Sequence, residues 1–341
     1  MPPQLQRLLR PLRGVRRGVE LRSSTNGPFK RGCSSGSLMP DGTVTQTGGT
    51  ADGELVVRTY SSCDTCDWEE IPTGLVQGRC CQDFSDHPRR EPRNYPSTGS
   101  GVLLSIRIVN GTVGAIEFLV CGGAPRSAFP NAFKEVFDGA LDSCGRIVIS
   151  DPDPQWVMES MPLARVMGDM LLLPNGDVLI INGASAGVAG WEFGRDPVLS
   201  PVVYRPGNPI GSRFELSLEE FSPAYLDSNV SGLRPVIISP MTSSNIGYGN
   251  EMVINFAVSN NLDPVSVMVT LGAPSFNTHS FSMNQRLLVL DSGIVTTDLD
   301  SSNYLVSVAM PPSANIAPTG LYLLFVVHKD IPSEGIWIHI Q

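Results

Sequence analysis

Three segments of this chain repeat one plan: an apolar strand, a turn, a second apolar strand and a closing glycine. Ser37–Gly49 turns at Asp41-Gly42, Val102–Gly123 turns at Asn110-Gly111, and Met170–Gly183 turns at Asn175-Gly176. Asp-Gly and Asn-Gly favour type I′ hairpins, because both central residues need positive φ. A strand that ends in glycine lets the backbone turn sharply and pack closely. Hairpins repeated in this way predict kelch-type propeller blades. The 34 glycines and 28 prolines agree, since they suit many short strands joined by turns better than a helical bundle.

From about Phe221 the texture changes to a run of separate strands. They are Pro235–Ile238, Met252–Val258, Val265–Leu271, Arg286–Leu290, Tyr304–Val308, Tyr322–Val327 and Ile336–Ile340. Strands at this spacing, with turn residues between them, predict an immunoglobulin-like sandwich. One helical period stands out upstream. Ala132, Phe133, Val136, Phe137, Ala140 and Leu141 recur on one face and predict a short helix between blades.

Charge and cysteines narrow the class further. Net charge is −9, which argues against a nucleic-acid partner. Residues 1–31 run against that sign, with seven Arg and one Lys against Glu20 alone. Their best apolar run, Leu5–Leu12, is broken by Arg7, Arg10 and Pro11, so it reads as neither a signal peptide nor a membrane span. A disordered leader or an organelle transit peptide fits it. Cys63-Asp64-Thr65-Cys66 has metal-like spacing but lacks a second suitable pair, and Cys80-Cys81 is vicinal; a disulfide suits Cys63 and Cys66 better than zinc. Cys121 and Cys144 bracket the helical insert, and both a bridge and two thiols remain open for them. Asn110-Gly111-Thr112 and Asn229-Val230-Ser231 are glycosylation sequons.

Several longer motifs resemble the copper-radical oxidases, the galactose oxidase and glyoxal oxidase group, and above all its plant glyoxal-oxidase-like branch. Gly32–Gly42 resembles an early blade of that family. Arg93–Ser97 and Val120–Pro125 resemble a middle one, and Trp156–Glu159 with Arg165–Met170 the next. Phe221–Leu226 opens a region similar to the family's C-terminal early-set domain, and Thr278–Arg286 resembles its copper-ligand loop. The resemblance implies an all-β chain: a basic leader over 1–30, an incomplete propeller over 31–213 and an immunoglobulin-like early-set sandwich over 221–341. It also implies copper as cofactor, a small aldehyde or primary alcohol and oxygen as reactants, hydrogen peroxide as product, no nucleic acid and no membrane. Family members are typically secreted, but no signal peptide is read here and the compartment stays unknown.

In that family two Tyr and two His bind copper, and one Tyr is joined to a Cys by a thioether. The resemblance puts Cys33 at the cross-linking cysteine and His279 at the histidine from the sandwich. The other ligands have no match. The family's Arg-Trp-Tyr-Ala-Thr motif is replaced by the stretch after Arg79, Cys80–Phe84. Its Arg-Met-Tyr-His-Ser motif is replaced by the run from Arg213-Phe214-Glu215 into Leu216–Glu219, and no Tyr-His dipeptide occurs in the chain. One imidazole does not make the tetragonal nitrogen and oxygen site that copper(II) favours. The expectation is a truncated, inactive member that holds no copper stably. The alternatives are an active aldehyde oxidase with replacement ligands, or a non-catalytic interaction module. Without the resemblance, Cys33 reads as a small buried apolar residue and His279 as a hydrogen-bonded loop residue. Core packing or a surface contact is the plainer reading of Arg165 and Trp191, and His328 and His339 read as structural or exposed.

Overall fold

In a computed structural model, residues 35–38, 43–47, 56–60, 69–72, 91, 93, 95–216, 223–278, 281–298 and 303–341 are described. The leader, Cys33, Cys63, Cys66, Cys80, Cys81, His87 and His279 lie outside the described residues. The fold is all-β, as expected. The described residues show three blade-like sheets and no closed ring.

The first sheet is a meander of β1 (Ser35–Leu38), β2 (Val44–Thr47), β3 (Val56–Tyr60) and β4 (Glu69–Pro72). Next come β5 (Ser100–Leu103), β6 (Ile106–Val109), β7 (Thr112–Val113), β8 (Glu117–Cys121), β9 (Ser143–Val148) and β10 (Trp156–Ser160), with α1 (Ala128–Ala132) between β8 and β9. β5, β8, β9 and β10 form the second sheet. The third comprises β11 (Asp169–Leu172), β12 (Val178–Ile181), β15 (Val202–Tyr204) and β16 (Phe214–Glu215), while β13 (Ala184–Gly187) and β14 (Gly194–Pro197) leave it as a separate hairpin. Glycine closes the strands where neighbours approach. Gly122 and Gly123 have φ of 70° and 107°, and a side chain at Gly122 would run into the Arg165 carbonyl. The space is filled by backbone: Gly123 N–H donates to that carbonyl at 2.9 Å.

The C-terminal strands are β17 (Val236–Ser239), β18 (Ser244–Ile246), β19 (Glu251–Ala257), β20 (Val267–Ala273), β21 (Phe276–Thr278), β22 (Phe281–Met283) and β23 (Arg286–Val289). They continue as β24 (Asp291–Ser292), β25 (Thr296–Thr297), β26 (Tyr304–Ala309), β27 (Gly320–His328), β28 (Ile331–Pro332) and β29 (Ile336–Ile340). All seven strands read from the sequence are present. One sheet runs β17-β19-β26-β24 and the other β18-β29-β27-β20-β23-β6-β7. Alternation along β19 turns Met252, Ile254 and Phe256 into the shared core, where they meet Leu271, Leu288, Leu324 and Ile338. Each such side chain contributes about 1.5–3 kcal/mol by leaving water.

Three details depart from or complete the sequence reading. The Asn110-Gly111 turn does not close a blade: it closes β6–β7, and β6 pairs in parallel with β23, Ile106 opposite Leu288. The reason is the pattern Ile-Arg-Ile-Val, which buries Ile106 and Ile108 in the sandwich core and leaves Arg107 and Val109 outside. The helix also lies earlier than its period predicts, over Ala128–Ala132, and meets the expected stretch only at Ala132. It stops because Glu135 takes φ 60°, with Glu135 N–H on Ala132 O at 3.0 Å and Val136 N–H on Asn131 O at 3.1 Å. That is a Schellman termination with glutamate where glycine is usual. Cys121 and Cys144, facing partners on β8 and β9, are joined by a disulfide of 2.07 Å.

Candidate functional site

Between β20 and β23 the chain leaves the sandwich as the hairpin β21–β22, with Phe276 opposite Met283 and Thr278 opposite Phe281. Residues 279 and 280, between its two strands in the sequence, lie outside the described residues. β22 lies against β1, β5 and β11, the first strand of each of the three sheets. The strand that follows Cys33 and the hairpin that carries His279 are therefore neighbours. The two residues themselves lie outside the described set.

One residue missed in the sequence holds this arrangement. Gln285, just after β22, accepts from Leu172 N–H at 2.8 Å through Oε1 and donates from Nε2 to Met170 O at 3.0 Å. Its amide satisfies the edge of β11 as a neighbouring strand would. Asn284 Nδ2 adds a bond to Pro274 O at 3.2 Å across the base of the hairpin. The signal was present, since Asn284-Gln285 lies in the motif that carries the family resemblance.

A polar seam joins the second and third sheets. Arg146 on β9 forks onto Glu117 at 3.0 and 2.6 Å and donates to Pro206 O at 3.0 Å. Arg213 pairs with Glu159 at 2.6 Å, and the buried Tyr204 hydroxyl donates to the same carboxylate at 3.2 Å. Burial raises the Tyr204 phenol above its ordinary range, against the lowering effect of Arg146. Arg165 is fully enclosed and donates to Asn182 O and Ser200 O at 2.9 and 3.1 Å. With carbonyls as these partners, burial pushes its guanidinium down to about 10. It packs the third sheet, as its plainer reading held.

A cleft of about 690 Å³ lies where Asp177 and Arg205 of the third sheet meet Tyr225 and Lys329. Asp177 is pushed up to about 6, first by burial and further by Asp330 and Glu215, against the opposing pull of Arg205 and Asn175.

Several tyrosines are engaged elsewhere. Tyr248 donates to Ala317 O at 2.8 Å and Tyr322 to Pro318 O at 2.7 Å, with burial raising the latter to about 12. Tyr304 packs on Phe256, and Tyr225 lines the cleft. His328 is buried, accepting from Asp263 N–H at 3.1 Å with its other ring nitrogen 3.0 Å from Leu233 O, and His339 meets Asn245 at 3.0 Å. Both are structural. Among the described residues no group of three His, Cys, Asp or Glu is placed to hold a metal, and no helix is long and apolar enough to cross a membrane.

A family model for the glyoxal oxidase N-terminus matches residues 29–84 and 79–229, and one for the galactose oxidase-like early set domain matches residues 234–340. Aldehyde oxidase GLOX1 of Arabidopsis thaliana is 30% identical over 437 positions, covering 90% of this chain and 71% of the relative. Aldehyde oxidase GLOX of Vitis pseudoreticulata is 31% identical over 435 positions, covering 90% and 81%. Both alignments are longer than the 341 residues here, so they cross stretches of the relatives that have no counterpart in this chain. Among solved structures, a fungal alcohol oxidase of the AA5 family in complex with copper shares the fold. Its TM-score is 0.52 at 14% identity, over 90% of this chain and 63% of that one.

Proposed function

This chain belongs to the glyoxal oxidase family, and on that premise we propose that it is a member without the family's chemistry. In the family reaction, copper and a tyrosyl radical oxidise an aldehyde or primary alcohol and release hydrogen peroxide. The residues present do not fit that centre. Cys33 and His279 stand at two family positions, but the segments that would bring the other two tyrosine and histidine motifs are absent. The observation that carries the reading is this donor set, and alignments that outrun the chain support it. The tyrosines of the described folds point the same way, with the Tyr204, Tyr248 and Tyr322 hydroxyls engaged elsewhere. A lone imidazole gives copper(II) neither its geometry nor the second ligands that would orient it. A thiol at Cys33 with no facing tyrosine has nothing to cross-link.

On this reading the chain is a glyoxal oxidase-like scaffold, and the substrates of its relatives are not turned over. The test is to supply copper with an aldehyde or a primary alcohol and measure bound copper and peroxide together. Sub-stoichiometric copper and background peroxide are expected, with the Cys33 peptide at unmodified mass. Stoichiometric copper with peroxide release that vanishes in His279→Ala would instead establish an active oxidase with replacement ligands.

A further inference from the structure

Six aromatic side chains from three separate segments meet at one end of the second and third sheets. Trp191 is central, with ring centroids at 5.9 Å from Tyr95, 5.5 Å from Phe129, 6.2 Å from Phe133 and 6.3 Å from Phe193. Phe193 also meets Phe133 at 5.2 Å and Phe137 at 6.4 Å. Part of the cluster is a satisfied core, but Trp191 is 56% exposed and Phe133 60%. From this arrangement we propose that the cluster is a binding platform for a neutral polysaccharide, with pyranose rings stacked on Trp191 and Phe133.

The backbone fixes the platform in advance. Trp191 has φ 49° and Glu192 φ 58°, left-handed conformations that large L residues rarely adopt. Such outliers persist where the surroundings over-determine them. Here Ala189 N–H donates to Pro96 O at 2.8 Å, Gly187 N–H to Asp138 O at 2.8 Å, and Ala140 N–H to Ser185 O at 2.7 Å. The segments are thus tied to one another, and binding needs little ordering. The location is open as well. The C-terminal ends of β5 and β11 face the sandwich, through β6 and through the Thr270 hydroxyl on Pro174 O at 2.8 Å. Tyr95 precedes β5, so the platform lies at the other end of these strands.

The chemistry selects the occupant. Aromatic ring faces are negative and attract polarised C–H groups, which pyranose rings with equatorial hydroxyls present on both faces. The rim of Lys134, Glu135, Glu192, Arg195 and Asp196 is exposed and mixed in sign, which suits hydroxyl groups and holds no polyanion. Arg195 is itself held over Phe137 at 3.8 Å. A protein partner fits less well, because the exposed large apolar residues here are Phe133, Val136 and Trp191. That is far short of the roughly 800 Å² per partner of a stable interface. A polymer of repeating rings multiplies a small contact. The platform needs neither copper nor turnover, so it stands or falls apart from the catalytic reading.

Affinity electrophoresis of the full chain in gels containing soluble β-glucan tests the proposal, with polygalacturonate as the anionic comparison. Retardation by β-glucan alone is expected. Trp191→Ala should weaken it about tenfold and Phe133→Ala about threefold, as for an exposed aromatic anchor and its neighbour. Trp191→Phe should fall between, with circular dichroism and light-scattering mass unchanged in all three. Absence of retardation, equal retardation by polygalacturonate, or a Trp191→Phe, Phe133→Ala double variant that binds like the original overturns the proposal. Self-association that Trp191→Phe abolishes also overturns it, and assigns the patch to a second copy.

Discussion

The sandwich gathers one continuous core, from Met252 on β19 to Ile340 on β29. The blades divide theirs in two, one group around Met170 and Tyr204 and another around Val166 and Val188. The difference shows in what fills the gaps. Between the sandwich sheets, alternation alone supplies facing apolar surfaces, and burial is non-directional. Between blades, narrow sheets meet along their edges and the joint is made by directed groups. The Arg213–Glu159 pair and the bonds from Arg146 to Tyr204 and Pro206 cross from the second sheet to the third, while Arg146–Glu117 and the Cys121–Cys144 bridge tie β8 to β9, and Arg205–Glu215 and the enclosed Arg165 lie within the third. A joint of that kind tolerates loss of a partner poorly, since an unpaired buried charge costs more than an apolar gap.

The largest test of this contrast is Arg213→Ala, which strands the buried Glu159 carboxylate. It should cost about 3–5 kcal/mol. In urea with hydrogen exchange, β10 and β15 should lose protection while β19 and β27 keep theirs. Equal loss in both regions would remove the distinction. Ile108→Ala should cost about 3 kcal/mol and do the reverse, loosening the sandwich although the residue lies far upstream. A smaller effect follows from Asp177. Its carboxyl, raised from 3.8 to about 6, binds a proton more tightly in the folded state, so folding stability falls as pH rises across that window. Across the window the change is at most about 3 kcal/mol, and thermal melts of Asp177→Asn should lack it. Gln285→Ala should be the mildest, about 1–2 kcal/mol for two hydrogen bonds to β11. It should appear as faster exchange at Leu172 N–H with little change in the sandwich.

The sandwich was legible in the sequence because its strands stand as separate apolar runs between turn residues, and period 2 shows along β19, β26 and β29. The blades were legible through their turns, but the Asn110-Gly111 turn was assigned to the wrong sheet. A hairpin signal is local and names no partner, whereas Ile106 and Ile108 are buried by strands from the other end of the chain. The helical period from Ala132 to Leu141 misleads in a similar way: the apolar spacing of Phe133 and Val136 is real, but the helix ends at Ala132, the backbone turns left-handed at Glu135 and both side chains stay outside. Cys33 and His279 rest on the motifs around them, and both lie outside the described residues. Gln285 was not singled out, since a glutamine that imitates a strand edge has no pattern of its own.

The parallel pairing of β6 with β23 sets an order of events during synthesis. Ile106 and Ile108 emerge early, and their places beside Leu288 do not exist until residues 286–289 have been made. Contacts between such distant residues fold slowly, because a long loop must close before they form. Through most of translation this short apolar ribbon waits as an unpaired edge, open to pairing with other chains. Soluble expression of the chain should therefore depend on how quickly its last 120 residues or so arrive to cover a strand made long before them.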